Sequence, residues 1–105
     1  MALAATTMLG GAETLIAVAR YVRDKGDERS AEFAIVVADS WQGRGIGGRL
    51  LAKLADVARR RGLKRLYGEI LAINRPMLGL VRKLGFILAR HDNDPTLTRA
   101  TLDLL

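Results

Sequence analysis

Between Gln42 and Arg49 the chain reads Gln-Gly-Arg-Gly-Ile-Gly-Gly-Arg, and this stretch carries its clearest chemistry. Glycine removes the side chain where a ligand must approach the backbone, and the first turn of a helix leaves several amide N–H groups without partners. With a helix opening at Ile46, the amides of Gly43, Gly45, Gly47 and Gly48 and the positive end of the helix dipole would form a seat for a phosphate or pyrophosphate. Arg44 and Arg49 add positive charge to it. A dinucleotide fingerprint needs G-x-G-x-x-G with an acid closing the next strand, and a P-loop needs G-K-[ST]. Gly43-Arg44-Gly45-Ile46-Gly47 fits neither, and the following strand ends in Leu71-Ala72. Taken alone, the turn also suits close packing of a helix on a strand.

Composition narrows the alternatives. The chain has no cysteine, so disulfides, thiolate nucleophiles and thiolate metal sites are excluded, and His91 is its only imidazole. A metal site would need carboxylates for most of its ligands, and no metal is expected. The formal charge of +6 favours an anionic partner. Specific nucleic-acid binding is not expected, because the basic residues are scattered and aromatics are few. Arg59-Arg60-Arg61 reads as the solvated, dipole-complementing end of a helix. At 105 residues, 50% hydrophobic and 27% charged, the chain is expected to be one ordered domain, residues 1–105. Its apolar runs are too short to span a bilayer and no signal-peptide pattern opens it, so a cytoplasmic location is expected.

The elements that position the turn follow from periodicity. Met1 to Ala5, a turn at Leu9-Gly10-Gly11-Ala12 and a strand from about Thr14 to Val22 predict a hairpin. The β-branched run Phe33 to Val37 predicts a strand, with Glu32, Ala34 and Val36 on one face and Phe33, Ile35 and Val37 on the other. That puts a carboxylate at the start of a largely buried strand. Leu50, Leu51, Leu54, Val57 and Ala58 recur at helical spacing up to Gly62. Lys64 to Ala72 alternates as a strand, so strand, helix and strand predict a right-handed crossover between two parallel strands. Asn74 caps a second helix that tolerates Pro76 in its first turn and ends at Gly85. Phe86 to Arg90 and Leu97 to Leu104 predict two more strands joined by an Asn-, Asp- and Pro-rich turn.

Two motifs carry a resemblance. Gln42-Gly43-Arg44-Gly45-Ile46-Gly47 is similar to the Q/R-x-x-G-x-G/A signature of the GCN5-related N-acetyltransferases (GNAT family). Asn74 followed by a helix closing on Leu84-Gly85-Phe86 resembles the family's second signature, and the two stand at the family's separation. The wording of Ala31 to Val37 and of Asn74-Arg75-Pro76-Met77 most resembles the acetyltransferase domain of Pat-type protein lysine acetyltransferases, which often follows an acyl-CoA synthetase-like region. The likeness covers about Met1 to Leu104.

The resemblance implies an α+β fold with a mixed, mostly antiparallel sheet and a central parallel strand pair. It implies acetyl-CoA as donor, with its pyrophosphate on the amides of residues 43 to 48 and its pantetheine arm along Ile35, Val36 and Val37. Gln42 and Ile46 fall within the same signature, Arg49 just after it adds charge to the pyrophosphate seat, and Asn74 would contact the arm. It implies direct attack by an amine, and an alkylammonium of pKa about 10.4 must first lose a proton. A carboxylate is the simplest base. Glu32 matches the position of the catalytic glutamate in Pat-type enzymes, and Glu69 is the runner-up on the neighbouring strand. An N–H near Val37 would stabilise the oxyanion. Where many relatives place a tyrosine to protonate the thiolate, this chain has Val81.

Family members usually carry a first strand and two helices ahead of the point where this sequence begins. The expectation is therefore a fragment, a minimal variant, or a protomer completed by another copy or by fusion to a larger synthetase-like chain. The leading reading is acetylation of a protein lysine, such as one on an acyl-CoA synthetase. The alternatives are a non-catalytic acyl-CoA-binding regulatory module and a small-molecule amine acetyltransferase. Trp41 is expected to pack under the glycine turn, and Tyr21 and Tyr67 within the fold. His91 is expected at the surface.

Overall fold

Gly10 and Gly11 both adopt positive φ, 55° and 81°, which a tight two-residue hairpin turn requires. They join β1 (Ala2–Leu9) to β2 (Ala12–Arg23) in the computed structural model, which describes residues 1–105. The chain continues through β3 (Ser30–Val37), a single 3-10 turn (Asp39–Trp41), α1 (Ile46–Arg60), β4 (Arg65–Leu71), α2 (Arg75–Lys83), β5 (Ile87–Arg90) and β6 (Leu97–Asp103). The six strands form one sheet in the order β1-β2-β3-β4-β6-β5, and every neighbouring pair is antiparallel except β3 and β4. No helix is long and apolar enough to cross a membrane.

Both helices end by the same device. Gly62 and Gly85 take φ of 86° and 95°. Leu63 N–H then donates to Ala58 O, and Phe86 N–H to Val81 O, each at 3.0 Å. These are Schellman closures, in which a left-handed glycine lets the chain turn back and satisfy carbonyls that the helix leaves free. Each also brings an apolar residue, Leu63 or Phe86, onto the core just past the helix end.

The core lies on one face of the sheet. Leu50, Leu51, Leu54, Ala55 and Ala58 of α1 and Val81 of α2 pack with Ala17, Ala19 and Tyr21 of β2, Phe33 of β3, Leu66 and Ile70 of β4 and Ala100 of β6. The opposite face carries Val22, Glu32, Val36 and Leu71 into solvent, Val36 being 69% exposed. The expectation that β3 is largely buried is therefore corrected: the strand is buried on its Phe33 face only, because both helices pack there. The hairpin also departs from simple alternation. β1 runs on to Leu9, and the register slips between Ala5 and Thr6, opposite a point where Ile16 and Ala17 are both buried. An extra residue in one strand of a pair turns successive side chains to the same side.

At the centre of the sheet, Gly68 lies against the Phe33 ring, which meets Phe86 edge-on at 5.3 Å. A Cβ on Gly68 would come within 2.6 Å of Phe33 Cε1. Gly68→Ala is expected to cost about 1–3 kcal/mol through overpacking, read as a lower midpoint in chemical denaturation.

Candidate active site

The glycine turn begins where β3 ends, and its glycines serve two purposes. Gly43 and Gly45 have φ of 79° and 80°, and a Cβ on either would meet nothing within 4 Å, so backbone conformation selects them. Gly47 is buried, and its Cβ would sit 3.3 Å from Val37 Cγ2 and 3.4 Å from Leu80 Cδ1. Close packing of helix on strand, one of the two readings of this turn, accounts for Gly47. Gly48 lies less tightly against Leu80.

The amides lie differently. Gln42 N–H donates to Asp39 O and Arg49 N–H to Gly45 O, but none of the backbone N–H groups of residues 43 to 48 donates within the chain. Gly45 caps α1 without a side-chain acceptor, and no acidic residue occupies the first turn. Six consecutive free donors at the positive end of a 15-residue helix make an anion seat. The Gln42 side chain is spent on the turn itself, donating to Val37 O at 3.2 Å and to Asp39 Oδ1 at 3.3 Å. Arg44 lies over Trp41 with its guanidinium carbon 4.6 Å from the ring centroid, while Arg49 stands exposed. Half-buried Trp41 is thus a platform for Arg44.

The strand leading into the turn loses its parallel neighbour early. β3 and β4 pair only through Ser30, Ala31 and Glu32, opposite Arg65, Leu66 and Tyr67. Beyond that point β3 remains paired with β2 and β4 with β6, so Phe33 to Val37 present an open edge. The gap is a cleft of about 320 Å³ lined by Glu32, Phe33, Ala34, Ile35, Glu69, Ile70, Leu71, Asn74 and Met77. Both candidate bases line it, with Ile35 and Asn74. Val36 turns its side chain to solvent, and Val37 faces the helices at the turn. Asn74 Oδ1 accepts from Met77 N–H at 3.3 Å, so the cap occupies the oxygen and the side-chain NH₂ has no partner in the chain.

The carboxylates differ in their surroundings. Glu32 is exposed and makes no ion pair or hydrogen bond through its side chain. Glu69 Oε1 accepts from Arg99 Nε at 3.0 Å and Nη2 at 2.6 Å. Arg99 also lies over Tyr67, 5.2 Å from its centroid, and the Glu69 hydrogen bond raises the guanidinium's pKa further. Tyr67 donates to Asp24 Oδ1 at 2.8 Å. Burial first, and then the hydrogen bond and charge of Asp24, push its hydroxyl up to about 12, so it stays protonated at neutral pH.

The neutral hydroxyl's contribution is complete below the ordinary tyrosine value near 10 and disappears as pH rises through about 12. Tyr67→Phe is expected to lose about 1 kcal/mol in denaturant unfolding at pH 7, with the gap from the wild type narrowing above pH ~10.

Sequence reasoning missed Arg99 and misplaced His91. The pairing Glu69↔Arg99 is a product of the β4–β6 register, which no local signal reveals. His91 is only 22% exposed, not a free surface residue, because the turn after β5 folds it toward Glu69. Its Nδ1 accepts from the N–H groups of Asn93 and Asp94 at 3.1 Å each, which places the ring proton on Nε2, 3.9 Å from Glu69 Oε1. Val81 is fully buried in the core and carries no exchangeable side-chain proton, so that position supplies no proton donor. A larger hollow, about 630 Å³, opens among Arg29, Lys64, Arg65 and Asp103 at the far end of the parallel pair, and adjoins neither the glycine turn nor Glu69.

Comparison with known proteins places this geometry. The acetyltransferase (GNAT) family model matches residues 5–86. The acetyltransferase Pat of Mycolicibacterium smegmatis is 36% identical over 83 residues, covering 79% of this chain and 25% of that protein. The GNAT domain of S. lividans PAT superposes with a TM-score of 0.80 at 31% identity, over 97% of this chain and 60% of the other. A Salmonella typhimurium protein solved with its cofactor acetyl-CoA superposes with a TM-score of 0.76 at 25% identity, over 88% and 60%. This chain therefore spans a quarter of the first relative and three-fifths of each of the other two. Because the family match takes in the glycine turn, the parted strands and the second helix, the chain belongs to the GNAT family of acetyltransferases.

Proposed function

We propose that this chain transfers the acetyl group of acetyl-CoA to a primary amine, a protein lysine side chain being the acceptor class, with Glu32 as general base. The observation that carries the reading is the run of six free amides at the end of a strand that has parted from its parallel neighbour. The amides of residues 43 to 48 hold the pyrophosphate, and Arg44 and Arg49 add charge at its edge. Phe33 to Val37 offer an open strand edge on which the amide-bearing pantetheine arm pairs as an added strand would. Asn74, whose side-chain NH₂ has no partner in the chain, reaches the arm from the opposite wall.

The arm then brings the thioester to the paired end of the cleft, beside Glu32. Glu32 takes one proton from the alkylammonium, and the freed amine nitrogen attacks the carbonyl carbon, forming the C–N bond. The C–S bond of the adduct then breaks, CoA leaves as the thiolate, and the second proton that the nitrogen must lose to become the amide passes to solvent. Val81 carries no exchangeable side-chain proton, and the Tyr67 hydroxyl already donates its proton to Asp24, so neither side chain serves as the acid for that sulfur. The lysine acceptor is supported by the resemblance of Ala31 to Val37 and of Asn74 to Met77 to Pat-type protein lysine acetyltransferases.

Calorimetry with acetyl-CoA, followed by transfer assays on lysine peptides and on small amines, tests the reading. Binding with lysine acetylation is the expected result, and absence of acetyl-CoA binding overturns it. One competing reading is a non-catalytic acyl-CoA-binding module. That reading gains if acetyl-CoA binds and no amine is acetylated.

A further inference from the structure

On the open face of the sheet, strand register sets an arginine on either side of the cleft. Arg20 of β2 lies opposite Ala34 of β3, and Glu69 of β4 lies opposite Arg99 of β6. Glu32 and Tyr67 are the last matched pair between β3 and β4, so Ala34 and Glu69, each two residues further on, face each other across the mouth of the cleft they line. Arg20, Ala34, Glu69 and Arg99 therefore form one row beside Glu32. All of them project away from the helices, because their neighbours Ala19, Phe33, Ile70 and Ala100 fill the other face.

The two arginines are held differently. Arg20 is exposed, has only alanines opposite it on both flanking strands, Ala2 and Ala34, and makes no ion pair. Arg99 is fixed in place, with Nε and Nη2 donating to Glu69 Oε1 and the guanidinium lying over Tyr67. A guanidinium has five N–H groups. The pair on Nη1 and one on Nη2 remain unspent, on a side chain that is 48% exposed. Glu69 itself offers a ligand nothing, since Arg99 occupies Oε1 and Oε2 is sealed from solvent. An incoming alkylammonium is matched by Glu32, and Glu69 is already matched by Arg99. The charge of Arg20 and the outer edge of Arg99 are left for the acceptor to answer.

We infer that Arg20 and Arg99 bind acidic side chains of the acceptor, so that the preferred acceptor is a lysine with an acidic residue two positions before it and another two positions after it. The spacing follows from two repeats. In the order β2-β3-β4-β6, the gaps between Arg20 and Arg99 are about 4.8 Å each and sum to roughly 14 Å, a little more where β3 and β4 part. An extended peptide laid across the strands puts the first and fifth of five residues about 13 Å apart, with the first, third and fifth side chains on one side. The central lysine then enters between Ala34 and Glu69, toward Glu32. The inference rests on the acetyl-transfer reading above and adds to it the sequence in which the lysine stands. Arg20 acts by charge, whereas Arg99, already held by Glu69 and Tyr67, presents a planar edge suited to a carboxylate.

The test measures acetylation of Ac-Glu-Ala-Lys-Ala-Glu-NH₂, its isomer Ac-Ala-Glu-Lys-Glu-Ala-NH₂ and the neutral Ac-Gln-Ala-Lys-Ala-Gln-NH₂. Comparing kcat/KM among them on one preparation cancels any loss of folded protein. The first peptide is expected to exceed the neutral one by about tenfold, chiefly through KM, as two partly exposed ion pairs allow. The isomer, whose carboxylates point away from the sheet, should gain less than about threefold. Arg20→Gln and Arg99→Gln should each bring the tenfold ratio down to about threefold. Arg20→Lys should keep the ratio and Arg99→Lys should lose part of it, because an ammonium does not reproduce the planar edge. A wild-type ratio near one, an isomer as good as the first peptide, or a ratio that neither glutamine variant moves overturns the inference and leaves lysine acetylation standing. If no peptide is acetylated, the acetyl-transfer reading fails instead. Fluorescence anisotropy of the same three peptides, dye-labelled, on the CoA-bound chain then decides the inference by the same ratios, read as affinities.

Discussion

Gly45→Glu is expected to abolish measurable acetyl-CoA binding while leaving the fold in place. Gly45 is the residue from which α1 starts, and its φ of 80° is one that an L side chain adopts only under strain of roughly 1–2 kcal/mol. Space is not the obstacle, since a Cβ there meets nothing within 4 Å. Charge is. A carboxylate about 5 Å from a phosphate group, at an effective dielectric near 20, is repelled by roughly 3 kcal/mol per charge, or about a hundredfold in affinity. It would also accept hydrogen bonds from the free amides of the turn and compete for the donors the pyrophosphate needs. Gly45→Ala separates the two effects, because it imposes the same backbone strain without charge. Calorimetry should show a loss of about tenfold for alanine and no binding for glutamate, with matching circular dichroism spectra. Equal losses in the two variants would mean that conformation rather than anion binding explains the turn.

Glu32→Gln is expected to cut kcat by about 10² to 10⁴ with the acetyl-CoA dissociation constant unchanged. Glutamine keeps the size and polarity of the side chain and removes its capacity to take a proton. Because Glu32 is exposed and makes no side-chain hydrogen bond or ion pair, stability should stay within about 0.5 kcal/mol of the wild type. The residual rate should climb with pH toward the amine's own pKa near 10.4, as a growing share of the acceptor arrives already deprotonated. Steady-state kinetics against pH, with calorimetry on the same variant, checks both parts. Full activity in Glu32→Gln together with a dead Glu69→Gln would reverse the roles assigned to the two carboxylates.

The local features of this chain were readable because each has a local cause. Gly10-Gly11 can make its turn only with positive φ, and Gly62 and Gly85 stop their helices for the same reason. Leu50, Leu51, Leu54 and Ala58 recur at helical spacing and are buried as that spacing requires. Glu32, Ala34 and Val36 share a face because side chains alternate along a strand, whatever the strand packs against. That they face solvent was not readable, since periodicity identifies the two faces without saying which is covered. Adjacent burial of Ile16 and Ala17 was likewise hidden, because it belongs to a register slip between two strands.

The candidate site divides along the same line. Sequence by itself determined the glycine turn, the helix that follows it, the strand that feeds it, Glu32 at the start of that strand and Asn74 as a cap, because these lie within short runs whose backbone chemistry is local. Tertiary structure alone decided three things. β3 and β4 part after Glu32, so the edge facing the turn is open. The missing side chain of Gly47 is required by Val37 and Leu80, which pack where its Cβ would lie. Arg99 and His91, 30 and 22 positions beyond Glu69 in the numbering, converge on one of its oxygens. Contacts of that kind depend on how strands are registered and where a turn folds back, and those are settled by burial summed over the whole sheet, not by any residue and its neighbours.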